Sequence, residues 1–267
     1  MTAAEERCLR GEAIWGDDFS LPEIEAWFAD EEEGYAALGA AEHGSADSYG
    51  YHALNVRCGY RHLPPGRIGR ALGLGSAYGG EFLPVISRVN AVTVLEPSAA
   101  LRTPELRGVP LTYVSPVPNG DMPFGKASFD LVVSFGTLHH IPNVTHVVGE
   151  IGRVTRAGGH VLVREPTTSM GDWRRPRAGL TKHERGIPRP ALLAAFDRAG
   201  LDVVHETRCM FPTTRRLAAR GLGFNSEVGV TLDLALSAMT AWNSRYRATA
   251  QWHKVQPTAS FFVLRRR

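Results

Sequence analysis

Apolar positions along the chain fall into short runs separated by polar, glycine-bearing turns. Compact runs near 68–73, 91–95, 110–114, 129–134 and 159–165 are bounded by turn residues, which predicts buried strands. Between the last two, Val144, Val147, Val148, Ile151 and Val154 recur on one helical face, predicting a helix over 144–156 that Gly158-Gly159 closes. A polar stretch at 167–187 has no periodicity, and Pro188 and Pro190 then open a helix that reaches Arg198 and stops at Gly200. Residues 201–207 and 259–265 read as two further strands, with about fifty residues and a helix near 227–248 between them. The first 65 residues hold no strand-like run. There, a helix capped by Ser20 carries Ile24, Trp27 and Phe28 on one face. Strands alternating with helices imply an α/β fold, a mostly parallel seven-stranded sheet with helices on both faces. The expected division is a helical cap over 1–65, a core over 66–208, and a helical insertion with the final strand over 209–267.

Composition narrows the class. At 267 residues, 43% hydrophobic and 21% charged, the chain suits one large α/β domain with appendages. No apolar stretch approaches the ~20 residues of a membrane span, and the N-terminus lacks the basic head and apolar core of a signal peptide. Cys8, Cys58 and Cys209 are widely spaced, with no C-x-x-C or Cys/His cluster, which points to a reducing cytoplasm. Residues 1–50 hold 13 acids against Arg7 and Arg10, whereas the chain ends on Arg265-Arg266-Arg267. The formal net charge of +3 is too small to argue for nucleic acid, so an acidic cap folding onto a basic body is the expected arrangement.

The chemistry begins at Ala71-Leu-Gly-Leu-Gly-Ser-Ala-Tyr-Gly79, an apolar run entering a turn of small residues. A second apolar run, Ala91-Val-Thr-Val-Leu-Glu96, ends on one acid 21 positions after Gly75. This is the layout of a nucleoside-binding β-α-β unit, in which the backbone approaches the ligand and the acid accepts from both ribose hydroxyls.

Further on come Met122-Pro-Phe-Gly-Lys-Ala-Ser-Phe-Asp130, the run to His139-His140, and Arg153-Val-Thr-Arg-Ala-Gly-Gly159 leading to Glu165-Pro166. Over about residues 66–166 the chain resembles the class I S-adenosylmethionine-dependent methyltransferases of the type 11 kind, with Met122–Pro166 the most specific part. The resemblance implies a Rossmann-like doubly wound sheet, S-adenosylmethionine as cofactor, and a last pair of strands forming an antiparallel hairpin. Two positions depart from the family pattern: Gly73 stands where an acid usually orients the methionine amino group, and Ala77 stands where a glycine is usual.

The resemblance places Gly75, Ser76, Ala77 and Gly79 around the methionine and ribose, with Glu96 on the ribose diol. Asn119 and Asp121 compete for the adenine side, and Ser134 and Phe135 end the strand beside the cofactor's sulfur. His139 and His140 follow as candidate bases, since imidazole titrates near neutral pH. Glu165 is a second candidate, because a carboxylate ending a buried strand needs a reason. Trp173 among Arg and Asp in the 167–187 loop suits a sugar face. Tyr51, His52 and Asn55 from the cap, with Trp242, Asn243 and Tyr246 from the insertion, are placed to close the pocket. No ligand spacing supports a metal site.

The function expected is methyl transfer to a small-molecule acceptor in the cytoplasm, to a hydroxyl of a sugar or glycosylated metabolite. Methylation of a small nitrogen acceptor and a non-catalytic cofactor-binding scaffold are the alternatives. The run after Met122 argues against an NAD-dependent oxidoreductase. No nucleic-acid or membrane partner is expected, and a homodimer stays open.

Overall fold

The computed structural model describes residues 2–42, 45–218 and 223–267. Its centre is one sheet of eight strands: β1 (Ile68–Leu74), β2 (Val89–Leu95), β3 (Glu105–Leu106), β4 (Val109–Val114), β5 (Phe129–Phe135), β6 (Thr155–Pro166), β7 (Leu201–Cys209) and β8 (Ala259–Arg266). Their spatial order is β3-β4-β2-β1-β5-β6-β8-β7. The five strands from β4 to β6 run parallel, while β8 is antiparallel to both β6 and β7. The eighth strand beyond the seven expected is β3, two residues paired antiparallel with β4.

Alternation along each strand divides the apolar residues between two cores. Ala71, Leu131, Val133, Phe261 and Val263 face one side, where they meet Leu54, Tyr60, Phe82 and Val85. Leu72, Val132, Val161, Phe262 and Leu264 face the other, covered by Val148, Ile151 and Phe196. Seven α-helices complete the described chain. They are α1 (Ala3–Arg10), α2 (Leu21–Glu42), α3 (His52–Cys58), α4 (Val144–Val154), α5 (Arg189–Arg198), α6 (Pro212–Ala218) and α7 (Glu227–Thr240).

The predicted apolar stripe of α4 is buried at all five positions. Its end differs from expectation. The helix stops at Val154, where the Thr155 hydroxyl donates back to the Ile151 carbonyl at 2.7 Å, and Gly158-Gly159 lie inside β6. The last two strands form the expected hairpin, with residues 210–258 inserted between them.

Acids of the cap do fold onto the body. Asp17 accepts from the Thr145 backbone at 2.7 Å, Asp30 meets Lys182 at 2.6 Å, and Asp47 meets Arg107 at 2.6 Å. All three cysteines are free and buried. Among the described residues no helix is long and apolar enough to cross a membrane.

Chain order reverses beside β1: β2 and β4 lie on one side, β5 and β6 on the other. In an open parallel sheet such a switch point leaves a crevice beyond the carboxyl ends of the strands.

Candidate functional site

That crevice is a cavity of about 750 Å³, walled by the ends of β1, β2, β5 and β6 and closed by α2, residues 45–51 and the 170–184 loop. This is a size suited to small-molecule ligands.

The turn after β1 forms one wall. Gly75 takes φ +60°, and a Cβ there would meet Thr137 Cγ2 at 2.8 Å, so the turn packs directly on the loop after β5. The Thr137 hydroxyl completes that joint by donating to the Leu74 carbonyl at 2.8 Å. Ala77 also adopts a left-handed conformation, φ +44°, which costs a residue with a Cβ about 1–2 kcal/mol. Two bonds hold it there: its N–H donates to Glu96 at 3.1 Å, and its carbonyl accepts from Tyr113 at 2.8 Å. Glu96 is fully buried and takes a second backbone bond from Ser98 at 3.1 Å. Burial raises its pKa, and these two bonds hold part of the rise back.

At Gly73, a Cβ would collide with the Ser76 hydroxyl and lie 2.9 Å from Phe82. Ser76 occupies that space and donates to the carboxylate of Glu81. Glu81 is 4% exposed and lines the cavity. Burial pushes its pKa up to about 7, although Ser76 and Arg164 pull it down. Arg164, from the end of β6, also lines the cavity and is 6% exposed. Its guanidinium donates to Asn55 at 2.8 Å and lies over the Tyr51 ring at 4.2 Å. Among the described residues it has no carboxylate within ion-pair distance.

A third wall follows β5. Glu165 is fully buried, and one of its oxygens accepts from the backbone N–H groups of Thr137 and Leu138 at 2.9 and 2.8 Å. The other oxygen holds His139 Nδ1 at 2.7 Å. His139 Nε2 lies 3.4 Å from Glu184 Oε1. Burial opposes a charge on His139, but Glu165 and Glu184 more than offset it and raise the imidazole to about 9. The ring therefore carries its second proton at neutral pH. His140 Nδ1 meets Glu31 at 2.8 Å. Burial also disfavours the charge on Glu31 and Glu184, and the histidines opposite bring both pKa values below the ordinary range.

Arg185 fastens this wall. Fully surrounded by protein, it donates to the carbonyls of His139, Ile141, Pro142 and Trp15 at 2.8, 2.7, 3.0 and 2.9 Å. Its guanidinium also lies over Trp27 at 5.0 Å. Burial lowers its pKa to about 10, which leaves it cationic at neutral pH.

Of the expected site residues, Gly75, Ser76, Ala77 and Glu96 line the cavity, as do Asp121 and Phe135. His139, His140 and Glu165 line it too, so all three proposed catalytic groups share one wall. Three expected positions do not reach it. Gly79 packs against Leu111, with a Cβ meeting Leu111 Cδ2 at 2.9 Å. Ser134 is buried inside β5, and the Asn119 amide turns to Asp121 at 2.8 Å. Asp121 stands at the rim, its carboxylate also held by His146 at 2.7 Å.

The closing residues are corrected in the same way. Tyr51 lines the cavity, but Trp242 is 78% exposed and Asn243 bonds the carbonyls of Trp252 and Val255. Tyr246 is turned to the Gly186 carbonyl at 2.9 Å. The backbone N–H of His52 donates to the Asn225 side chain at 2.6 Å, and Asn55 accepts from Arg164. Trp173 stacks on Trp15 at 5.3 Å under the cap, so it offers no face to a ligand. Glu81, Arg164, Glu31 and Glu184 were not singled out from sequence. Glu81 alone left a signal there, an acid directly behind the small-residue turn.

Residues 72–163 match the family of the methyltransferase domain. An S-adenosylmethionine-dependent methyltransferase from Mesorhizobium loti superimposes with a TM-score of 0.52 at 18% identity, covering 84% of this chain and 99% of that one. A Thermotoga maritima protein, named a possible histamine N-methyltransferase, gives 0.51 at 14% identity over 92% and 99%. The [4+2]-cyclase SpnF gives 0.52 at 16% identity over 80% and 79%. These likenesses establish the fold. No curated protein sequence matches the chain.

Proposed function

We propose that this chain, whose core is that of a class I S-adenosylmethionine-dependent methyltransferase, methylates a hydroxyl of a small, polar acceptor. The observation that carries the cofactor's placement is the pair Glu81 and Arg164, a buried carboxylate and a buried guanidinium on one cavity wall. Opposite charges without an ion pair between them suit an α-amino acid end, its ammonium toward Glu81 and its carboxylate toward Arg164. Glu81 would thus do the work of the acid missing at Gly73, with Glu96 left for the ribose hydroxyls.

Bound S-adenosylmethionine supplies a methyl group on a sulfonium, which leaves as a neutral thioether. The protein's part is to align the acceptor, exclude water and take up the hydroxyl proton. Glu165, His139 and Glu184 form a continuous set for that proton. Since His139 is already protonated at neutral pH, the hydroxyl proton enters at Glu184 Oε1 and Glu165 keeps the ring in place. A glycoside remains the first acceptor to screen, although Trp173 gives it no support. A nitrogen acceptor is the second reading, favoured by the three carboxylates Glu31, Glu165 and Glu184, which would also hold a cationic amine.

Calorimetric titration with S-adenosylhomocysteine, and with NAD for comparison, tests the cofactor site. Micromolar binding of the first alone is expected; binding of NAD alone would reverse the assignment. Glu96→Ala should weaken S-adenosylhomocysteine by ~1–3 kcal/mol, and unchanged affinity would remove Glu96 from the site. Glu81→Gln should weaken it by about 1.5–3 kcal/mol, roughly 10- to 150-fold. Glu81 has a raised pKa near 7 in the free protein, so the wild type should bind fully above pH 7 and lose affinity as pH falls below it. Its neighbours are Ser76, Arg164 and Glu96, and the glutamine variant should lose this pH dependence. A pH dependence that persists in the variant would assign it to another group. Acceptor screening with hydroxyl and amine compounds then separates the two readings.

A further inference from the structure

We propose that His139, His140 and Glu184 form a binding site for a divalent transition-metal ion such as Zn²⁺ or Mn²⁺. One ligand atom from each of the three lies within 4.8 Å of the others. The group sits on the cavity wall, next to where the acceptor must enter. Two imidazoles and one carboxylate are a donor set that selects such ions over Mg²⁺ or Ca²⁺, which prefer all-oxygen shells.

The spacing is close to that of a formed site. Ligands about 2.0–2.2 Å from a tetrahedral ion stand roughly 3.3–3.6 Å apart, and His139 Nε2 lies 3.4 Å from Glu184 Oε1. The two edges to His140 are each within 4.8 Å.

Ligating histidines and carboxylates are held by outer partners that fix ring orientation and tautomer. Each member has one here. Glu165, itself anchored by two backbone N–H groups, holds His139 Nδ1 at 2.7 Å and directs Nε2 toward Glu184. Glu31 holds His140 Nδ1 at 2.8 Å, and is in turn fixed by the Thr181 hydroxyl at 2.7 Å and the His183 N–H at 3.1 Å. Glu184 Oε2 accepts from the Thr181 N–H at 3.1 Å, leaving Oε1 toward the histidine. The ion would stand where His139 and Glu184 otherwise share a proton, since metal and proton compete for the same lone pairs. Its remaining positions would face the cavity, open to an acceptor oxygen, whose hydroxyl it would acidify. With Glu184 occupied as a ligand, the hydroxyl proton leaves to solvent instead of entering Glu184, and the oxygen forms its bond to the methyl carbon as the carbon–sulfur bond breaks.

The test is titration of chelator-dialysed protein with Zn²⁺ and Mn²⁺, comparing wild type with Glu184→Gln. One ion per chain is expected, bound at least about 100-fold more weakly by the variant. Absence of binding, or equal binding by the two proteins, would overturn the site and leave a proton-sharing cluster. Should the variant fail to fold, Co²⁺ added to wild type decides: a visible spectrum of nitrogen-ligated cobalt supports the site, and the spectrum of the free aqua ion overturns it. The same samples titrated with S-adenosylhomocysteine keep the questions apart. Metal binding without it would sink only the cofactor assignment, and the reverse result only the metal site.

Discussion

Arg185→Met should lower stability by about 3–5 kcal/mol, a fall in Tm of roughly 6–20 °C for a chain of this size. The side chain it replaces satisfies four carbonyls drawn from three places: the cap at Trp15, the turn after β5 at His139, and the stretch before α4 at Ile141 and Pro142. Methionine fills a similar volume but donates nothing, so those acceptors would stay buried without a partner. Lysine would recover only part, because an ammonium cannot match a planar fork that reaches several carbonyls at once. A thermal melt measures the effect. An unchanged Tm for Arg185→Met would mean that water reaches these carbonyls and that the cap is not fastened through this residue.

The second large effect falls on turnover. Glu165→Gln should reduce it by about 10²–10⁴-fold, with S-adenosylhomocysteine affinity changed little. The glutamine oxygen can still accept from Thr137 and Leu138, so the turn stays formed. Its amide would then present N–H to His139 Nδ1, where the carboxylate accepts. The ring would lose its Nδ1 proton and with it the positive charge, so Glu184 would face a neutral imidazole through Nε2–H. Separate measurement of kcat and KM checks this. A variant with normal kcat would clear Glu165 of any role in orienting His139. Loss of cofactor affinity in step with kcat would make its role one of holding the fold.

The two effects share a cause. The wall after β5 is assembled from groups far apart in the chain, and each is fixed by backbone groups of another segment. This is why the polar residues here are so fully buried, and why single substitutions are costly.

The strands and helices of this protein are written into its sequence. The stripe Val144, Val147, Val148, Ile151 and Val154 packs where its period says, and the strand runs join one mostly parallel sheet, as the alternation implies. Local geometry also sets the turn after β1, since Gly75 permits both the left-handed backbone and the approach of Thr137. Helix ends were less legible. Gly158-Gly159 looked like a stop, but strand pairing with β5 and β8 claimed that segment.

The cavity's chemistry lay mostly beyond local pattern. Glu96, His139 and Glu165 are visible because each ends a strand or follows one. Glu31 and Glu184 sit on α2 and in an aperiodic loop, and no spacing announces them. Trp173 shows the opposite failure: it looked like a ligand face and became part of the cap's packing. Burial is decided by which segments meet, and a sequence window does not contain its partner. Periodicity and backbone sterics in the sequence are thus enough to set the sheet, its helices and the tight turn after β1. It took the folded chain to bring Glu81 behind Gly73 on the cavity wall, to turn Arg164 into the cavity, and to set two histidines beside a distant glutamate. Those charges acquire their properties from burial and from neighbours that only folding brings within a few ångströms.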